Sequence, residues 1–232
     1  MGTDIVSNIM IIRLRMAAAA QRSGRNPGDI QLMAVSKTVP PERIREAADA
    51  GITLFGENYV QEAREKIPAI SQDVSWHMIG HLQTNKVKYV VNLFHWIHSV
   101  DRLELAKELD KRAAQNQRTL KILIEVNVSG EASKSGMEPS QVLGFIRQIS
   151  VLPNLSVQGL MTMPPYSDNP ETVRPCFIAL RNLRDEIAGA GIPGIHMNEL
   201  SMGMTDDFEV AIEEGATIIR VGRAIFGERH YQ

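Results

Sequence analysis

The chain has 232 residues, 44% of them hydrophobic and 22% charged, which is ordinary for a globular protein and suits one α/β barrel or two small domains. A formal net charge of −2 argues against a surface built for nucleic acid or acidic membranes. One cysteine, Cys176, excludes a disulfide framework or a cysteine-based metal site, and no apolar run reaches the roughly 18 residues of a membrane span.

The first segment, residues 1–25, places Ile5, Ile9, Ile12 and Met16 at helical spacing. It lacks the basic start and long apolar centre of a signal peptide, so it predicts an amphipathic helix and a cytoplasmic protein. Behind it, short β-rich runs alternate with longer helical patterns. Strands are predicted over 31–37, 52–55, 75–79, 95–99, 120–128, 156–161, 197–200 and 218–221. Helices are predicted over 40–50, 58–66, 84–92, 101–115, 139–150, 171–189 and 205–214. Pro40-Pro41, Asp101 and Thr205 mark helix starts, and Gly51, Gly191 and Gly215 mark helix ends. Strand–helix alternation implies parallel pairing through right-handed crossovers. Eight units predict a single (β/α)8 TIM barrel over 1–232 with an extra N-terminal helix, leaving no room for a second domain. An open doubly wound sheet is the alternative, but no Gly-x-Gly-x-x-Gly follows the first strand.

In such a barrel the active groups gather where strands finish. The first strand, "MAVSK", ends on a lysine. Met33, Val35 and Lys37 share one face by alternation. If that face is the interior, Lys37 stands at the mouth, where partial desolvation favours the neutral amine that attacks a carbonyl. The plain alternative is a lysine that snorkels to water from a strand end. Near the C-terminus, "LSMGMTDDF" and "RVGRAIFG" each run from a strand into a glycine-containing turn. Loops after strands seven and eight are the usual phosphate cradle of this architecture, with Ser201 as an added hydroxyl donor. Arg220 shares a face with Ile218 and Gly222. It is either aimed at a ligand or paired with a nearby acid, Glu199 being one candidate. A basic group that traps aldehydes, a phosphate cradle and an interior arginine suggest a phosphorylated carbonyl ligand: pyridoxal 5'-phosphate, or a phosphorylated sugar in a Schiff-base aldolase.

Other features carry less. His77 and His81 in "HMIGH" have zinc-like spacing but lack the glutamate of His-Glu-x-x-His and fall on a strand and loop, so no metal site is expected. His95 and His98 face opposite sides of one strand. Most methionines read as core filler, with Met161 and Met163 beside the mouth as exceptions. Asp206 and Asp207 fall in a first helical turn, where acid complements the helix dipole.

The stretches "AVSKTVPPERI", "WHMIGHLQTNKVKYV", "EVNVSGEASKSGM", "GLMTMPP" and "ELSMGMTDDFEVAIEEGATIIRVGRAIFGER" resemble the YggS/PROSC family of pyridoxal phosphate homeostasis proteins, related to the N-terminal barrel of alanine racemase. The resemblance covers roughly residues 30–229. It implies a fold-type III barrel lacking the second β domain of the racemases. It implies that Lys37 carries pyridoxal 5'-phosphate as an internal aldimine and that Ser201, Gly203, Gly222 and Arg223 surround the phosphate. Arg220 would approach the pyridine nitrogen, and Asn58, His81 and Met161 would line the ring. The implied role is cofactor buffering or delivery rather than catalysis, with a weak racemase as the alternative. Implied partners are pyridoxal phosphate itself and either cofactor-dependent apoenzymes or a regulatory protein, with a monomer as the default state.

Overall fold

The computed structural model describes residues 4–131 and 134–228; the first three residues of the expected leading helix, and the pair 132–133 in "GEASKSGM", lie outside them. Eight parallel strands close into a barrel: β1 (Gln31–Val35), β2 (Leu54–Glu57), β3 (Ser75–Met78), β4 (Trp96–Val100), β5 (Leu120–Glu125), β6 (Leu155–Met161), β7 (Glu199–Ser201) and β8 (Ile218–Val221), which returns to β1. Around them lie α1 (Ile5–Arg22), α2 (Pro41–Asp49), α3 (Val60–Lys66), α4 (Val87–Val90), α5 (Leu103–Gln115), α6 (Pro139–Ile149), α7 (Arg174–Gly189), α8 (Phe208–Glu213) and α9 (Arg223–Phe226).

Strand alternation divides the apolar residues into two cores. Outward positions such as Ala34, Phe55, Ile97, Ile122, Ile124 and Leu160 join the helix faces in one continuous layer. Inside, Met33, Val35, Leu54, Ile79 and Ile218 form a smaller cluster. The interior is narrow at this level: a Cβ at Gly56 would come within 2.6 Å of Met33 Sδ. Polar side chains occupy the rest of the interior, among them His77, His98, Glu125, Ser201 and Arg220, all at most 3% exposed.

The leading helix is present. Asp4 caps α1 by accepting from the Ser7 amide at 3.0 Å. Its buried face of Ile5, Ile9, Ile12 and Met16 packs against α2, α8 and α9, and Arg15 and Arg22 bind Glu209 and Glu213.

Several expected boundaries move, each for a local reason. β1 stops at Val35 because Ser36–Val39 form a turn, closed by Val39 N–H to Ser36 O at 3.0 Å, with Thr38 at φ 62°. β5 stops at Glu125, after which Val126 only bridges Met137. The helix expected over 205–214 begins at Phe208, because Asp207 turns back to accept from the Met204 amide at 2.5 Å. The pattern at 84–92 is a 3-10 turn followed by the short α4, and α9 has no counterpart among the expected helices.

Candidate functional site

The chain leaves β1 into a turn that is held from behind. The Ser36 amide donates to Gly56 O at 3.0 Å, and the Ser36 carbonyl accepts from Lys66 Nζ at 2.8 Å. Lys66 also binds Glu57 at 3.2 Å and Glu62 at 2.6 Å, while Glu62 accepts from the Thr38 amide at 2.7 Å. Glu57 lies on the helix-facing side of β2 beside Phe55 and accepts from Ser36 Oγ at 2.8 Å. Burial raises its pKa, offset by Lys66. These fastenings clamp the backbone on both sides of Lys37. Thr38, a β-branched residue, is thereby kept in the left-handed region that such residues avoid.

Lys37 lines a cavity of about 380 Å³ at the mouth of the barrel, within the ~300–1,000 Å³ usual for small-molecule sites. Val35 and Ile79 line its inner part. Asn58 and Arg220 stand on the walls, Met204, Thr205 and Asp206 come from the loop after β7, and Gly222 and Arg223 from the turn after β8. Met163 and Tyr166, from the loop after β6, complete the rim. The amides of Thr205, Asp206, Gly222 and Arg223 have no acceptor among the described residues, so two successive pairs of bare N–H groups border one cavity. Arg223 is fixed there by Asp206, whose two carboxylate oxygens each lie 2.6 Å from its Nη2. Asp206 therefore does more than complement a helix dipole. Asn58 Oδ1 is buried with no partner among the described residues, a spare acceptor on the wall.

Arg220 is 3% exposed and its partner is not Glu199, which instead accepts from Thr217 Oγ1 at 2.5 Å. Arg220 Nη1 donates to Ser201 O at 2.6 Å and Ser201 Oγ at 2.8 Å, and Nη2 donates to Thr162 O at 2.8 Å. Three of its five N–H groups are thus used. No carboxylate among the described residues touches it, and burial lowers its pKa to about 10 despite the attraction of Asp207 and Glu125. Glu125, at the C-terminal end of β5, is pushed up to about 7 by burial and by Asp101; its Oε2 has no hydrogen-bond partner among the described residues. Below Arg220, burial holds His77 down to about 3 and His98 well below the ordinary histidine range, so both are neutral.

The nine residues singled out from the sequence do not all meet. Lys37, Asn58, Arg220, Gly222 and Arg223 line the one cavity. Gly203 supports it from behind: its φ of +93° and a Cβ position 2.6 Å from Ala211 Cβ require glycine for packing. Ser201 is fully buried, and its hydroxyl is taken by Arg220 and His98. Met161 lies buried at the end of β6, level with Ser201, while Met163 reaches the rim. His81 is 53% exposed and lines a neighbouring crevice that shares the Asn58 wall. The loop carries it there because Gly80 packs against the Asn58 backbone. Sequence reasoning missed the Glu57–Glu62–Lys66 clamp, although the i,i+4 spacing of Glu62 and Lys66 signals one of its links. It also missed Tyr166, for which no pattern speaks.

The chain is similar to known proteins over nearly its whole length. The alanine racemase N-terminal domain matches residues 12–230. A pyridoxal phosphate homeostasis protein of Aquifex aeolicus is 50% identical over 218 residues, 94% of this chain and 95% of its own. Its counterpart in Escherichia coli K12 is 41% identical over 232 residues, 98% of each chain. PipY of Synechococcus elongatus, solved with pyridoxal phosphate bound, superposes with a TM-score of 0.83 at 36% identity, over 97% of this chain and 100% of that one. An alanine racemase of Corynebacterium glutamicum superposes with a TM-score of 0.69 at 17% identity, over 94% of this chain and 61% of the racemase, a likeness of fold alone. By domain match and by full-length identity, the chain belongs to the pyridoxal phosphate homeostasis proteins, a family built on the alanine racemase N-terminal domain.

Proposed function

We propose that the protein binds pyridoxal 5'-phosphate covalently through Lys37 and serves as an intracellular reservoir and donor of it. The observation that carries this reading is convergence. An amine, an interior guanidinium and two pairs of amides with no acceptor among the described residues border one cavity at the C-terminal face of a barrel. The residues fit the group: Lys37 would hold the aldehyde carbon, and Thr205, Gly222 and Arg223 would hold the phosphate, with Gly203 shaping the loop. Asn58 offers its spare acceptor, and Arg220 its remaining donors to the ring nitrogen. Met161 underlies the ring site, and His81 borders it from the adjoining crevice.

When bound, pyridoxal phosphate supplies a carbonyl for amines and, in enzymes, an electron sink. Arg220 limits the second use. It can donate to a ring nitrogen but cannot give up its proton at neutral pH, so it does not maintain the protonated ring that strong carbanion stabilisation needs. The clamp behind Lys37 instead keeps the amine at the mouth, where exchange with incoming amines is possible. The racemase reading needs a second acid–base group. Tyr166 stands on the rim, but its Oη donates to Asp168 at 2.7 Å, which raises its pKa and makes it a poor base.

The reading includes a monomer in the cytoplasm, a placement supported by the single cysteine. Among the described residues no helix is long and apolar enough to cross a membrane. The test mixes the loaded protein with an apoenzyme that depends on pyridoxal phosphate and follows recovery of its activity, alongside a chiral assay of alanine. Recovery with negligible racemisation supports a carrier. Racemisation at about 1 per second or faster would replace it with an enzyme.

A further inference from the structure

From Arg220, on the cavity wall, a continuous chain of side chains runs down into the barrel interior, away from the cofactor site. Arg220 Nη1 lies 2.8 Å from Ser201 Oγ, Ser201 Oγ 3.0 Å from His98 Nδ1, His98 Nε2 2.9 Å from His77 Nδ1, and His77 Nε2 3.2 Å from Ser75 Oγ. It links β8, β7, β4 and β3 across the interior, from beside the mouth to the first residue of β3.

Proton accounting fixes the direction of this chain. A guanidinium only donates, so Ser201 Oγ accepts from Arg220. The Ser201 hydrogen then goes to His98 Nδ1, because no other acceptor meets that oxygen among the described residues. His98 must carry its own proton on Nε2 and donate it to His77 Nδ1. His77 likewise carries its proton on Nε2, facing Ser75. In the reverse direction the Ser201 hydrogen would be buried with no acceptor, at a cost that forbids it as the resting arrangement. Both rings are needed as acceptor and donor at once, which only neutral imidazole provides.

We propose that His98, backed by His77, is a positioning residue for Arg220: by taking the Ser201 hydrogen it holds the hydroxyl oxygen open to the guanidinium and so fixes where the remaining arginine donors point. The inference rests on the cofactor reading for what Arg220 then does. A histidine pair that merely filled the interior would leave Arg220 indifferent to its replacement.

Two measurements test it. In the protein free of cofactor, nitrogen-15 NMR of the imidazoles should show both histidines with hydrogen on Nε2 and none on Nδ1. A hydrogen on Nδ1 of His98 overturns the inference. Next, His98→Leu and His98→Asn are compared; the asparagine amide reaches the position of Nδ1 but not that of Nε2. Titration with pyridoxal phosphate should show the leucine variant binding about 10-fold more weakly, with a displaced visible absorbance band. The asparagine variant should recover most of the loss. Unchanged affinity and an unmoved band in a folded leucine variant overturn the inference. The NMR result stands even if that variant does not fold. If the wild type forms no borohydride-stable adduct on Lys37, it is the cofactor reading that fails, and the tautomers alone then judge the chain.

Discussion

Removing Lys66 should expose how strongly the turn at Lys37 is secured. The Lys66 side chain is 10% exposed and that of Glu57 is fully buried. Lys66→Met would leave the Glu57 carboxylate with Ser36 Oγ as its remaining partner, and the Ser36 carbonyl without its ammonium. Breaking a buried pair by deleting one member costs about 3–5 kcal/mol. The lower figure is expected, because Glu62 is 28% exposed and can turn to water. For a domain of this size that corresponds to a fall in Tm of roughly 6–12 °C. Chemical denaturation gives the value directly. The double variant Glu57→Leu/Lys66→Met should recover most of it, since no charge is then stranded. The pH dependence has a definite sign. Burial raises the folded pKa of Glu57 above 4.5, and losing Lys66 raises it further. A raised carboxyl is least costly below its unfolded pKa, and the cost grows as pH climbs toward the folded value. The deficit of Lys66→Met relative to wild type should therefore widen from pH 5 to pH 8. A deficit under about 1 kcal/mol, or one that does not change with pH, would mean that the clamp behaves as a hydrated surface pair.

Glu125→Gln should stabilise the protein at pH 8 but hardly at pH 4.5. The native carboxyl titrates near 7 against 4.5 unfolded, so its ionisation costs up to about 3 kcal/mol above pH 7; equal effects at both pH values would contradict its burial. His77 and His98 are held below the unfolded value of 6.5, so the stability they allow above that pH is lost as pH falls through 6 toward 4. The unfolded chain should take up about two more protons than the folded one in that window, and a stability–pH slope that does not change when both are replaced would refute this. Gly203→Ala should fold poorly, losing about 1–3 kcal/mol to a left-handed φ and to contact with Ala211; wild-type melting behaviour would show that the loop can rearrange.

The fold was legible because barrel periodicity is written in alternating runs. Each of the eight strand patterns corresponds to an observed strand, and the spacing of Ile5, Ile9, Ile12 and Met16 marks the buried face of α1. The mouth was legible where a side chain follows strand parity, as Lys37 follows Met33 and Val35. It failed where long-range pairing decides. Glu199 and Arg220 lie on neighbouring strands, yet the offset in register, Ser201 opposite Ile218, puts Ser201 rather than Glu199 beside the guanidinium. His77 and His98, 21 residues apart in the chain, meet only because β3 and β4 pair side by side, with His77 opposite Trp96. The role of Asp206 depends on Arg223 arriving from the next strand, 17 residues later.

The central claim is that one amine at the barrel mouth takes the cofactor. Incubation with pyridoxal 5'-phosphate, borohydride reduction and peptide mapping tests it most directly. The label should fall on the peptide carrying Lys37 and vanish in Lys37→Ala. A label elsewhere in the wild type, or retained by Lys37→Ala at the same mouth, would contradict the account.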